Sequence, residues 1–264
     1  MVNTARLFAT TGREDISQFI VHLTRDDRNT FEEGGSTARR NFLAIMKSKR
    51  ILAVKPHCLF NKRLEKLTEQ NQSKLNVACF TEVPLNQIHL LVGEIPGRKI
   101  SLEPYGFIFT KDFIAESGGQ PAIYINSYNE NSWLRESVDE LFEASHRNGR
   151  FVGKMWRLLP FLNAMHEKCD FSWEREWRVV QDFKFKLSDL VCVILPHEEE
   201  KILKEKFAKS GVAVISPGWT YEQIVTELAR QQRKTRQFVV EQELVSLIFR
   251  HLLEDNQTVF ETLI

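Results

Sequence analysis

The sequence predicts an α+β domain built on one mixed sheet, and three observations lead there. Apolar, strand-like runs recur at residues 18–24, 77–82, 105–110, 121–126, 177–180, 190–195 and 212–216. Helical patterns separate some of these runs and not others, so the regular strand–helix alternation of a parallel α/β sheet is missing. No repeat, low-complexity tract or Pro/Gly/Ser-rich linker divides the chain, which assigns residues 1–234 to one main domain and residues 235–264 to a helical tail.

The elements follow from local pattern. Residues 18–24 are dominated by β-branched and aromatic side chains and run into a charged loop, RDDRN. In the next segment Ala38, Phe42, Ile45 and Met46 fall on one helical face, with Ser36 or Thr37 at the cap position. The strand at 77–82 is closed by Pro84, and the one at 121–126 carries Pro121 at its start, where a missing N–H is tolerated. Leu134, Val138, Leu141 and Phe142 form a helical stripe, and residues 150–165 also read as helical, interrupted at Pro160. After Asp170 come two strands, a charged helix (HEEEKILKEKFAKS), a third strand beyond Gly211, and a helix with Tyr221, Ile224, Val225 and Leu228 on one face. In the tail, Val240, Leu244, Leu247, Ile248 and Leu252 form an apolar stripe suited to packing on the body or on a partner.

Composition narrows the function. Across 264 residues, 36 basic and 35 acidic side chains leave a net charge of +1, which argues against binding nucleic acid through bulk electrostatics and leaves room only for a local basic groove. The four cysteines, at 58, 79, 169 and 192, never form a Cys-x-x-Cys pair, so a zinc ribbon, a thioredoxin motif and a disulfide scaffold are all disfavoured. The first residues lack the apolar stretch of a signal peptide and no run is long enough to span a bilayer, so a cytoplasmic protein is expected. There is no Walker loop, Gly-x-Gly-x-x-Gly, His-Glu-x-x-His or Gly-x-Ser-x-Gly, and the histidines do not cluster at metal-ligand spacing. No metal site is expected.

Three polar islands stand out against this background. His22 and Thr24 alternate on one face of a strand and could offer a ligand one donor and one acceptor; the plainer alternative is a half-exposed strand end with a hydrogen-bonded histidine. Thr81 and Glu82 end a buried strand, where Glu82 is either a site residue or a solvated or capping carboxylate. Extended backbone through Trp173–Arg178 would put Glu174, Glu176 and Arg178 on one face, with Trp173, Arg175 and Trp177 on the other. Two carboxylates and a guanidinium suit ribose hydroxyls and phosphate, and equally suit a surface ion-pair ladder.

Taken in order, the runs HLTRDD, Asn41-Phe-Leu-Ala-Ile-Met46, Arg50-Ile-Leu52, CFTEVPL, YGFIFTK, PAIYI and EREWRVV resemble the AbiGi-type abortive-infection family of bacterial phage defence, over about residues 17–233. Members of that family are described both as antitoxins and as resistance proteins. More distantly, His-x-Thr on a strand followed by a helix with Asn-Phe-x-x-Ile-Met and an Ile-Leu step is similar to the opening of DarT-like ADP-ribosyltransferases. That likeness implies an ADP-ribosyltransferase-like sheet with NAD as substrate. It makes Glu176 the catalytic carboxylate, has His22 and Thr24 hold the nucleotide, lets Tyr105 stack on a ring, and has Arg178 or Arg25 pair the pyrophosphate. Three departures accompany it. A helix-closing glycine is replaced around Lys49, no middle arginine matches, and the aromatic position is shared between Tyr105 and Tyr124.

Two expectations of different class result. One is an anti-phage enzyme that transfers ADP-ribose from NAD to a nucleic acid or protein acceptor. The other is a non-enzymatic antitoxin or sensor that binds a partner protein of a defence system, with the tail as a partner or oligomer contact. A nuclease ranks last, because no Asp/Glu-x-Lys or histidine-based cleavage motif stands out.

Overall fold

The structure, a computed structural model, describes residues 16–27, 36–56, 59–95, 100–128, 133–166 and 170–232. The tail stripe from Val240 to Leu252 and the cysteines at 58 and 169 lie outside the described residues.

In chain order the elements are β1 (Phe19–Leu23), α1 (Ala38–Ser48), β2 (Arg50–Ile51), α2 (Asn61–Leu64), α3 (Glu69–Ser73), β3 (Val77–Glu82), β4 (Gly106–Thr110), α4 (Lys111–Glu116), β5 (Gln120–Pro121) and β6 (Ile123–Asn126). Then come α5 (Trp133–Ala144), β7 (His146–Arg147), β8 (Arg150–Phe151), β9 (Leu162–Met165), β10 (Glu176–Val180), β11 (Phe183–Lys184), β12 (Leu190–Ile194), α6 (His197–Lys209) and β13 (Ala213–Ile215). A last helix, α7, covers residues 221–232. Seven strands form one mixed sheet in the order β13-β12-β4-β1-β3-β10-β5, in which only β12 and β13 run parallel. The expected α+β mixed-sheet domain is therefore observed.

Both faces of the sheet are buried, and the two-residue period of the strands divides the core between them. Ile20, Phe80, Phe107, Phe109, Val179 and Val193 pack with Phe42 of α1 and with Phe183 and Phe185. Val21, Leu23, Ile108, Cys192 and Ile194 point the other way, onto Leu85, Ile88 and Leu91 of a 3-10 turn and onto Ile224 of α7. A smaller third cluster joins Phe60, Leu64 and Leu75 to Val138 and Phe142 of α5 and to Leu159 and Leu162. Gly106 starts β4 opposite Leu23, where any Cβ would come within 2.6 Å of the His22 carbonyl oxygen, so the close strand approach requires glycine.

Helix α1 starts as its sequence demands: the Thr37 side chain caps it by accepting a bond from the Arg40 N–H. It ends at Lys49, which itself adopts the left-handed conformation at φ 55° usually left to glycine.

Four sequence expectations need correction. Residues 150–165 are not helical: they form β8, a 3-10 turn at Met155–Phe161 and β9. Asn148 and Gly149, at φ 49° and 74°, close a two-residue hairpin between β7 and β8, and Pro160 denies the following segment a continuous helix. The run at 121–126 is split, with β5 on the main sheet and β6 paired in parallel with β9. The backbone before β10 is not extended, because Ser172–Glu174 form a 3-10 turn and Arg175 sits at φ 45°; Glu174 therefore does not share a strand face with Glu176 and Arg178. Of the four residues expected on the apolar face of α7, Ile224 is buried and Leu228 half-buried, while Tyr221 and Val225 face solvent.

Candidate functional site

The polar cluster of interest forms where the main sheet meets the smaller core. On β3 and β10 the register pairs Thr81 with Glu176 and Cys79 with Arg178, which puts these four side chains on one face. Arg178 is 1% exposed and Glu176 12%, and the Arg178 Nη2 donates to Glu176 Oε2 at 2.7 Å. The other terminal nitrogen, Nη1, donates to the Pro160 carbonyl at 2.6 Å, which ties the sheet to the 3-10 turn of the third cluster. A planar guanidinium with two anchored ends holds the carboxylate in one orientation.

Cys79 lies beside the pair. Burial and the Glu176 charge push its thiol well above the ordinary range, so it stays protonated and donates to the Glu176 carboxylate. The opposite wall comes from β6 and β9, where Tyr124 and Asn163 are register partners. The Tyr124 hydroxyl donates to the Phe171 carbonyl at 3.0 Å, and its pKa is raised by burial and by the charges of Glu176 and Glu174. The loop leading into β10 is fixed by Asp170, which accepts from the backbone N–H and hydroxyl of Ser172 at 3.0 and 2.7 Å and from the Tyr128 hydroxyl at 3.1 Å. Those bonds hold the Asp170 carboxyl below its usual range.

His22 reaches β3 from β1 on the opposite sheet face, where its ring packs against Phe80 and Phe107. Strand β1 pairs with β3 through Ile20–Glu82 and Val21–Thr81, and one residue further the imidazole Nδ1–H donates to the Cys79 carbonyl at 2.8 Å. A carbonyl can only accept, so Nδ1 carries the proton of the neutral ring and Nε2 is left as an acceptor. Burial lowers the His22 pKa, partly opposed by the bond to Cys79 and assisted by the Arg25 charge. Cys79 thus links His22, through its carbonyl, to Glu176, through its thiol.

The other predicted site residues do internal work. The buried Thr24 hydroxyl reaches the Ala38 carbonyl at 2.9 Å and the Tyr105 carbonyl at 3.1 Å, which secures the start of α1 against β4. Tyr105 packs on Phe42, and its hydroxyl donates to Glu199 of α6 at 2.8 Å; burial and that bond push its pKa up to about 12. Glu199 also accepts from Arg39 at 2.7 Å, so this carboxylate couples α1 to α6. Glu82 is likewise structural: it accepts from the Trp177 indole at 3.1 Å and pairs with Lys111 at 2.9 Å on the opposite face. Arg178, expected to meet a pyrophosphate, instead directs both terminal nitrogens at protein oxygens.

The structure therefore brings together Glu176 and Arg178, sets His22 on the opposite sheet face against Phe80 and Phe107, and leaves out Thr24 and Tyr105. Of the two tyrosines that compete for the aromatic position, Tyr124 is the one beside Glu176. Cys79 and Asn163 went unpredicted. Each is a polar residue inside an apolar strand run, which is the signal that would have found them. Among the described residues, no helix is long and apolar enough to cross a membrane. No family model, no curated protein and no solved structure matches this chain.

Proposed function

We propose that this chain is an NAD-dependent ADP-ribosyltransferase of an anti-phage abortive-infection system, acting on a macromolecular acceptor. One observation carries the reading: a single carboxylate, Glu176, is held at the junction of two cores by a buried arginine, with the Cys79 thiol and Tyr124 around it. The chemistry suits such a group. Cleavage of the nicotinamide–ribose bond sends the bonding pair to nicotinamide and develops positive charge at the ribose C1′, which a fixed carboxylate stabilises. The acceptor nucleophile then bonds to C1′ and gives up its proton. Thr24 and Tyr105 have no part in holding the nucleotide in this reading, since both are engaged inside the fold.

The test is incubation of wild type and E176Q with labelled NAD, together with cell extract, DNA or RNA. Label transferred by wild type and lost in E176Q supports the reading and identifies the acceptor. Nicotinamide release without transfer indicates a glycohydrolase. No turnover with any addition overturns it.

A second reading, a non-enzymatic component that binds a partner protein, is favoured by the internal use of Thr24, Tyr105 and Arg178. Co-purification of one stoichiometric protein that carries the toxicity would support it, whereas NAD turnover by a monomer would sink it.

A further inference from the structure

We propose that the β7–β8 hairpin and the hollow beside it bind the phosphate groups of a phosphate-bearing ligand, at a site separate from Glu176. The hairpin turn is Asn148-Gly149, with both residues at positive φ, the geometry of a type I′ turn that fixes the flanking strands in register. That register sets Arg147 directly opposite Arg150. Both arginines are exposed, and among the described residues neither meets a carboxylate.

Two like charges held cross-strand by a tight turn repel each other, and such a pair costs stability in the free protein. An anion placed between them removes that cost. The hollow extends the same field: it has a volume of about 440 Å³ and is lined by Arg150 and Asn148 on the hairpin and by Asn71 and Lys74 at the end of α3. The two sides are locked together, because the buried Asn71 donates through Nδ2 to the Gly149 carbonyl and accepts from Lys74 Nζ at 3.0 Å. Two cations, Arg150 and Lys74, thus line a polar concavity of small-ligand size, framed by amide groups and carried on a preorganised turn, with Arg147 the cross-strand neighbour of Arg150. The planar forks of two arginines and the point charge of a lysine match phosphate oxygens. No lining residue belongs to the Glu176 cluster, so the site does not depend on NAD chemistry.

The test uses R147Q/R150Q, with K47Q/K209Q as a control that removes the same charge from exposed positions on α1 and α6. Three probes are titrated at low salt: inorganic pyrophosphate, ATP and a fluorescein-labelled single-stranded oligonucleotide. Wild type and the control are expected to bind, and R147Q/R150Q to bind about tenfold or more weakly, with the salt slope for the oligonucleotide reduced by roughly 1 to 1.5. The thermal midpoint of R147Q/R150Q should equal or exceed that of wild type, as relief of repulsion requires. Parallel loss for pyrophosphate and ATP identifies a free phosphate compound as the ligand, and loss confined to the oligonucleotide identifies a strand. The proposal is overturned if wild type binds no probe, if the control loses as much affinity, or if R147Q/R150Q keeps its binding.

Discussion

Arg178 and Glu176, two residues apart on β10, lie side by side on one sheet face with 2.7 Å between Nη2 and Oε2, and the arginine is the more buried partner. Strand periodicity makes them neighbours, and the Pro160 carbonyl at 2.6 Å from Nη1 completes the arginine's environment. Removing one partner of such a pair leaves an uncompensated charge, which costs far more than the intact pair gains. R178M is expected to lower stability by about 3 kcal/mol, and E176Q/R178M to lose clearly less than the sum of the two single changes. Urea denaturation of the four proteins measures the coupling. Additive losses would show that the two side chains do not act as a unit.

His22 makes stability depend on pH with a definite sign. Its folded pKa lies below the ordinary 6.5, so between those two values the unfolded chain holds more proton than the folded one. The folded state must then lose stability as pH falls through 6.5, until the folded pKa is passed. Asparagine at this position can still donate to the Cys79 carbonyl but does not titrate. H22N should show a shallower loss than wild type between neutral and mildly acidic pH, measured as the unfolding free energy at each pH. Identical slopes would place the acid sensitivity elsewhere.

Thr24 separates a fold role from a ligand role. T24V keeps the shape and removes the hydroxyl from the Ala38 carbonyl at 2.9 Å, so it is expected to cost about 1–2 kcal/mol of stability. If NAD is turned over, the KM of T24V should match that of wild type. A raised KM with unchanged stability would return Thr24 to the nucleotide.

Lys49 ends α1 at φ 55°, where a side chain is strained and glycine is not. K49G should therefore raise stability by roughly 0.5–1 kcal/mol, read as a higher thermal midpoint. A lower midpoint would mean that the contact of the Lys49 ammonium with the Met46 carbonyl outweighs the backbone strain.

Much of this protein is legible in its sequence, because element type follows from periodicity over a few neighbouring residues. The strand at residues 77–82 and the Thr37 cap of α1 are observed as expected, and the strand at 190–195 ends within one residue of its expected limit. The Asn148-Gly149 hairpin was also legible, since that dipeptide is a strong local turn signal, but the helical spacing of the apolar residues after it suggested a helix. His22 and Glu176 could be singled out as polar residues in apolar strands. What they touch could not. The Cys79 link between them depends on β1, β3 and β10 lying side by side, an order set by packing between segments about 57 and 97 residues apart along the chain. The same non-local register turned Arg178 inward to Pro160, placed Tyr124 beside Glu176, and sent Tyr105 to Glu199. Local propensity fixes where the backbone is extended or coiled. Only the assembled sheet decides which side chains share a face, because that choice minimises buried unpaired charge and exposed apolar area over the whole domain.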